Sequence, residues 1–139
     1  MAIQLDHVIV PSRDKHAAAQ GLAALLDVPS GESLGEFVAV YVNEGLTLDF
    51  ANRDQFERYH LCFRVDDAGF DAIFGRIKAA GISYRSRPHG EDDLQINTRL
   101  GGKNLYWQDA DGHLWEILTV SYARRGAEIA WSAAERVRQ

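Results

Sequence analysis

The chain has 139 residues, of which 46% are hydrophobic and 25% are charged, which is typical of a soluble globular protein with a core. Its single cysteine, Cys62, excludes a disulfide scaffold, and its net charge of −5 argues against a general nucleic-acid binder. No apolar run approaches the ~20 residues of a membrane span and no secretory signal is visible, so we expect a cytoplasmic protein with no membrane partner.

The first half of the chain predicts a strand, a helix and then a hairpin. Residues 5–10 form a short β-branched run that is typical of a strand. Residues 14–26 place alanines and leucines on one helical face. Residues 37–42 and 46–50 are predicted as paired strands around the turn Asn43-Glu44-Gly45, and a weaker strand signal lies around residues 30–35.

The second half predicts the same order of elements. Residues 60–65 form a strand and residues 66–80 an amphipathic helix that ends near Gly81. A strand starts at residues 82–84, and a hairpin joins residues 105–108 to 113–120 around the turn Asp109-Ala110-Asp111-Gly112. The polar segment 85–103 is predicted as a long loop around a short strand near residues 94–98.

The two halves also match each other by position. Residues 43–49 align with residues 110–116 at a constant offset of 67, and His7 aligns with His60 at an offset of 53. We therefore predict two modules, residues 1–52 and residues 60–122, which are joined by a polar linker at residues 53–59. A separate C-terminal helix is predicted at residues 123–139.

Each predicted module carries a histidine at the start of its first strand and an acid in its last hairpin strand. If the modules pair with pseudo-twofold symmetry, His7, His60, Asp49 and Glu116 converge. Two imidazoles and a carboxylate, with open positions, form a donor set used for divalent Fe, Mn, Ni or Zn. Each residue alone is more commonly structural or solvent-exposed, so the metal hypothesis depends on the four repeat-related positions together.

Three motifs in the chain resemble the vicinal oxygen chelate superfamily, which includes glyoxalase I, extradiol dioxygenases, fosfomycin-modifying enzymes and bleomycin-binding proteins. The motifs are Leu5-Asp6-His7-Val8, His60-Leu61-Cys62-Phe63-Arg64-Val65 and Asp109-Ala110-Asp111-Gly112-His113-Leu114-Trp115-Glu116-Ile117. The resemblance implies an α+β fold in which two βαβββ modules form a cupped mixed sheet around a central cavity.

The same resemblance implies His7, His60 and Glu116 as ligands of a divalent metal (Fe, Mn, Ni, Co or Zn). Asp49 matches the fourth, acidic ligand of glyoxalase I, although a turn acid or an acid beside the site is an equal alternative. Glu116 is also the expected catalytic proton shuttle, with Asp49 as the alternative if it is not a firm ligand.

Three further side chains are predicted to line the cavity. Tyr106 lies across the hairpin from Glu116, at the spacing of a tyrosine in fosfomycin-type relatives, so we expect it to be catalytic or to bind substrate. Packing into the barrel wall is the equal alternative. Arg64 shares the face of His60 and suits an anionic substrate group or a protein acid, and Asn104 is expected to share that lining.

Four residues are expected to lie outside the chemistry. Cys62 is predicted to be a small buried wall residue, and His113 a turn residue because strand alternation points it away from the face of Glu116. His16 and His89 belong to no pattern and are predicted to be exposed.

The leading hypothesis is an enzyme that chelates two adjacent oxygens of a small molecule on its metal, as a lyase, an isomerase or a dioxygenase. Fosfomycin thiol transfer is disfavoured because residues 99–104 lack the acidic, serine-bearing potassium loop and Ile9 replaces a threonine. The module count favours glyoxalase I over the extradiol dioxygenases, which generally carry four modules. The alternative is a bleomycin-resistance-type binding protein, which needs no metal.

Relatives commonly form homodimers in which both protomers build each cavity. On that arrangement we expect His7 and Glu116 of one chain to meet His60 of the other.

Overall fold

Seven strands and two helices make up the described part of the chain, residues 2–124 of a computed structural model. They are β1 (His7–Ser12), α1 (Lys15–Leu26), β2 (Ser30–Glu32), β3 (Val38–Tyr41), β4 (Thr47–Asn52), β5 (His60–Arg64), α2 (Asp67–Ala79), β6 (Asn104–Gln108) and β7 (Leu114–Leu118). The fold is α+β, as the sequence predicts. The helix predicted at residues 123–139 falls almost wholly outside the described residues. Neither helix of residues 2–124 is long and apolar enough to cross a membrane.

The two sheets share one topology and one register. One sheet has the order β1-β4-β3-β2 and the other β5-β7-β6. The parallel neighbours are β1 and β4 in the first sheet and β5 and β7 in the second. Ile9 pairs with Asp49 in the first sheet, and Cys62 pairs with Glu116 in the second. In both sheets, therefore, the acid lies opposite the residue two positions after the histidine, which reproduces the sequence repeat.

The segment before β6 departs from the repeat. The strands predicted at residues 82–84 and 94–98 are reduced to isolated bridges, Arg85 to Tyr106 and Asn97 to Asn104. The buried Arg85 guanidinium instead donates to the Asp92 carboxylate and to the Arg87 and Pro88 carbonyls. A buried cation needs such partners, so the chain wraps around this side chain and does not continue a strand.

Both helices begin at aspartate caps and pack on a shared core. The Asp14 side chain accepts from the Ala17 N–H at 3.1 Å and that of Asp66 from the Gly69 N–H at 2.7 Å, which satisfies otherwise unpaired amide groups. The core crosses between the sheets, where the Trp115 ring lies 6.4 Å from Phe50 and stacks on Phe63 at 5.9 Å. Two small sheets thereby bury one continuous hydrophobic cluster.

The turn between β6 and β7 joins the two sheets. Asp109 Oδ1 accepts from the backbone N–H groups of Asp111 and His113, each at 2.9 Å, which closes the turn. Asp111 then reaches the end of β1, where its carboxylate accepts from Ser12 Oγ at 2.6 Å and from the Arg13 N–H at 2.9 Å.

His113 is fully buried at the same junction. Its Nδ1 accepts from the Tyr59 N–H at 2.9 Å, so Nε2 carries the hydrogen and donates to the Pro11 carbonyl at 2.6 Å. As the sequence predicts, His113 is a turn residue: it precedes β7 and closes the turn with Asp109, and its side chain packs against the first module. We call Asp109, Asp111 and His113 the junction clamp.

Removing the Asp111 carboxylate should destabilise the protein without touching His60 or Glu116. Asp111→Ala leaves the buried Ser12 hydroxyl and the Arg13 N–H without their charged acceptor, so we expect a loss of about 3 kcal/mol in the free energy of unfolding. Urea denaturation measures the loss. The exposed Asp54 provides the control, since Asp54→Ala should change stability by less than about 0.5 kcal/mol. Equal values for the two variants would contradict the clamp.

Candidate metal centre

A fully buried carboxylate, Glu116, lies at the centre of the candidate site. Glu116 Oε1 lies 3.0 Å from His60 Nε2, and Oε2 accepts from Asn104 Nδ2 at 3.1 Å. The Tyr122 hydroxyl lies 2.8 Å from both oxygens. Burying an ionised carboxylate is costly unless its oxygens are satisfied, and here three side chains from three parts of the second module satisfy them.

The parallel pairing of β5 with β7 brings His60 to Glu116. His60 precedes Cys62, the direct neighbour of Glu116, by two residues, so both side chains project from the same face of the sheet. His60 remains 46% exposed while the Glu116 side chain is fully buried. The expectation that His60 would meet Glu116 of another chain is therefore wrong, since one chain holds this pair.

An open cavity of about 580 Å³ adjoins the pair. Arg64 lies on its wall two residues beyond Cys62, as the strand alternation predicts, and makes no ion pair with an acid of residues 2–124. The lining is completed by Leu118 and by the segment after β7. A guanidinium on an open cavity suits a negatively charged group of a small molecule.

Cys62 is exposed on this wall, so the expectation of a buried residue is wrong. Although part of Cys62 is exposed, protein atoms packed around its sulfur remove solvent there, and together with the adjacent Glu116 carboxylate this raises the pKa of Cys62 to about 12. The thiol is therefore neutral near pH 7 and is a poor nucleophile.

The other two predicted cavity residues, Asn104 and Tyr106, lie on β6, next to the strand that carries Glu116. Asn104 is buried and donates to Glu116, so it holds the carboxylate in place. Tyr106 pairs with Glu116 across β6 and β7, and its ring lies 6.0 Å from that of His60. Its hydroxyl is 3.3 Å from the Tyr122 hydroxyl, and loss of solvent raises the pKa of Tyr106. Substrate contact by Tyr106 and Asn104 stays a prediction.

His7 and Asp49 lie apart from this pair. His7 Nδ1 is 2.8 Å from Asp6 Oδ2 and the side chain is 56% exposed. Asp49 accepts from Ser33 Oγ at 3.2 Å. Within residues 2–124 of a single chain, no group of three His, Cys, Asp or Glu side chains is close enough to hold a metal ion. The parallel pairing of β1 with β4 puts the side chains of His7 and Asp49 on one face of the first sheet. We refer to His7 with Asp49, and to His60 with Glu116, as the two candidate half-sites.

The His60–Glu116 pair fits a divalent metal chemically. Imidazole nitrogen and carboxylate oxygen are ligands of Zn²⁺ and similar ions at roughly 2.0–2.2 Å, which separates adjacent ligands by about 3.3 Å. The 3.0 Å between His60 Nε2 and Glu116 Oε1 is close to that separation. Two ligands leave positions open both for a further protein ligand and for substrate.

Sequence reasoning missed Tyr122. It follows β7 in an irregular segment, where no periodicity predicts the direction of a side chain. Loss of solvent and the hydrogen bonds with Tyr106 and Glu116 raise the pKa of Tyr122 well above its usual range, so its hydroxyl remains a hydrogen-bond donor.

Two curated proteins match part of this sequence. No protein-family model matches the chain. The fosfomycin resistance protein FosX of Mesorhizobium japonicum is 32% identical over 72 residues, which cover 51% of this chain and 46% of that protein. The metallothiol transferase FosB of Shouchella clausii is 32% identical over 79 residues, 55% of this chain and 48% of that protein. The chain thus spans about half the length of the curated relatives it matches.

Solved structures match over nearly the full length. The FosX structure from Mesorhizobium loti has a TM-score of 0.67 at 22% identity and covers 90% of this chain and 98% of that one. The oxidase ChaP-H2 has a TM-score of 0.82 at 38% identity, with 88% of this chain and 98% of that one covered. The chain belongs to the vicinal oxygen chelate superfamily. Relatives within this superfamily bear the names of a resistance protein, a thiol transferase and an oxidase, so membership alone does not select a reaction.

Proposed function

We propose that this vicinal oxygen chelate protein is a divalent-metal-dependent enzyme acting on a small oxygenated molecule. The observation that supports it is the buried Glu116 carboxylate beside the exposed His60 imidazole, at the edge of an open cavity. A carboxylate and an imidazole with open neighbouring positions form the kind of site that binds both a metal and a substrate.

We infer that His7 from a second copy of the chain completes the site. In the first module His7 occupies the position equivalent to His60, and β1, which carries it, is an edge strand. The residues at every second position around His7 are apolar and exposed: Ile3 at 95%, Leu5 at 65% and Ile9 at 42%. Exposed apolar residues in such a row mark an interaction surface, and burying them against the other copy brings His7 to the metal.

The imidazole of His7 is already oriented for this role. Its Nδ1 faces the Asp6 carboxylate at 2.8 Å, which favours a hydrogen on Nδ1 and leaves the Nε2 lone pair available. Asp49 lies in the same half-site and would enter the shared centre with His7, as a fourth ligand or as an acid beside it.

The residues of the chain then have distinct tasks in the reaction. A divalent ion held there would supply Lewis acidity to the substrate oxygens. Arg64 would bind an anionic group of the substrate, and Asn104 would hold the Glu116 carboxylate while His60 binds the ion. Glu116 or Asp49 would accept the proton that leaves the substrate. The 38% identity to the oxidase ChaP-H2 favours an oxidation over an isomerisation or a lyase reaction.

Metal content should depend on His60 and not on the other second-module histidines. We expect His60→Ala to lower metal occupancy at least about 10-fold, as measured by elemental analysis after equilibration with Mn, Fe, Co, Ni or Zn. His113→Ala, folded by circular dichroism, and the exposed His89→Ala should retain the metal. If the wild type stays empty with every ion, the enzyme proposal fails and a metal-free binding protein of the bleomycin-resistance type takes its place.

A mixing experiment tests whether two copies share each site. His7→Ala and Glu116→Gln dimers should each bind little metal when separate. After unfolding and refolding together, mixed dimers carry one intact site out of two, so the mixture should recover about a quarter of the wild-type occupancy. If each site lay within one chain, every site would still lack a ligand and mixing would restore nothing.

A further inference from the structure

Tyr122, which contacts the Glu116 carboxylate, belongs to a segment after β7 that is held in place by hydrogen bonds and close packing. The chain leaves β7 at Leu118, and Thr119 Oγ1 accepts from the Lys103 N–H at 2.9 Å while the Thr119 N–H donates to the Lys103 carbonyl at 2.9 Å. Gly102 packs closely against residues 119–120. A Cβ added at Gly102 would lie 2.5 Å from Thr119 Oγ1 and 2.7 Å from Val120 Cγ2. This close packing fixes the position of residues 119–120, and the chain that follows brings the Tyr122 hydroxyl to Glu116. We call residues 119–124 the capping segment.

The Tyr122 hydroxyl occupies coordination space that a cation would use. Its single hydrogen is shared between Glu116 Oε1 and Oε2, each 2.8 Å away. His60 Nε2 takes a further position on Oε1 and Asn104 a further position on Oε2. A metal ion bound by His60 replaces the His60 hydrogen on Oε1. The Tyr122 hydroxyl lies between the two oxygens, so an ion held by both oxygens competes with the tyrosine.

We propose that Tyr122 is a positioning residue that caps Glu116 while no cation is bound and gives up its position between Oε1 and Oε2 when the metal enters. The proposal rests on the proposed metal site. The hydroxyl keeps the buried carboxylate satisfied in the metal-free protein, and the capping segment thereby sets how tightly the site takes up its ion.

Removal of the hydroxyl should tighten metal binding. Tyr122→Phe keeps the ring and its packing but removes the competing donor, so we expect Mn²⁺ or Zn²⁺ to bind about 10-fold more tightly by calorimetric titration. The metal-free variant should also melt at a lower temperature than the wild type, since Glu116 loses a hydrogen bond. Tyr84→Phe is the matched control, because its ring packs against Phe74, and it should change neither quantity.

A spectroscopic measurement tests the same displacement independently of the change in affinity. Metal titration should produce a tyrosine difference spectrum in the near ultraviolet, and this difference should be lost in Tyr122→Phe and kept in Tyr84→Phe. Unchanged or weaker metal binding by Tyr122→Phe, or a wild type without a tyrosine signal, would overturn the capping role. In that case the proposed function still stands if the wild type binds metal and Glu116→Gln does not, whereas failure of the wild type to bind metal overturns both.

Discussion

The burial of one carboxylate organises the second module. Glu116 lies on the central strand of its sheet with no exposed surface, and an unsatisfied charge there would cost several kcal/mol. Its partners come from β5, from β6 and from the capping segment, so each of these elements has to be in place for the charge to be tolerated. The same requirement leaves a pre-oriented carboxylate at the wall of an open cavity.

The opposite face of the β6–β7 hairpin has a structural task. Asp111 and His113 bind the end of β1 and the linker, while Trp115 enters the core shared by both sheets. The superfamily motif therefore combines two functions along one hairpin, a junction between modules on one face and a candidate ligand on the other. Strand alternation keeps the two apart, which explains why a change in the junction clamp should affect stability before it affects metal binding.

The sequence predicts the topology well because the repeat is local and periodic. Matching offsets placed His7 with Asp49 and His60 with Glu116, and the strand registers show the same equivalence. Side-chain environments were harder to predict. The sequence predicts a buried Cys62, yet this residue lies on a cavity wall. Strand alternation predicts the face of the sheet from which a side chain projects, but it does not predict what packs against that face. Tyr122 and the loop around Arg85 are set by tertiary contacts that leave no periodic trace in the sequence.

The two half-sites differ in a way that bears on their roles. Glu116 is buried and held by three side chains, whereas Asp49 is one methylene shorter and bonds the Ser33 hydroxyl. On the proposed metal site, this difference favours Glu116 as the carboxylate ligand, with the first module contributing chiefly His7.

Anomalous diffraction from crystals grown with Mn²⁺ or Zn²⁺ tests this account most directly. We predict an anomalous peak roughly 2.0–2.2 Å from both His60 Nε2 and a Glu116 oxygen, with His7 of a second copy as the third protein ligand. A crystal that holds the ion elsewhere, or holds none at a saturating concentration, would contradict the account.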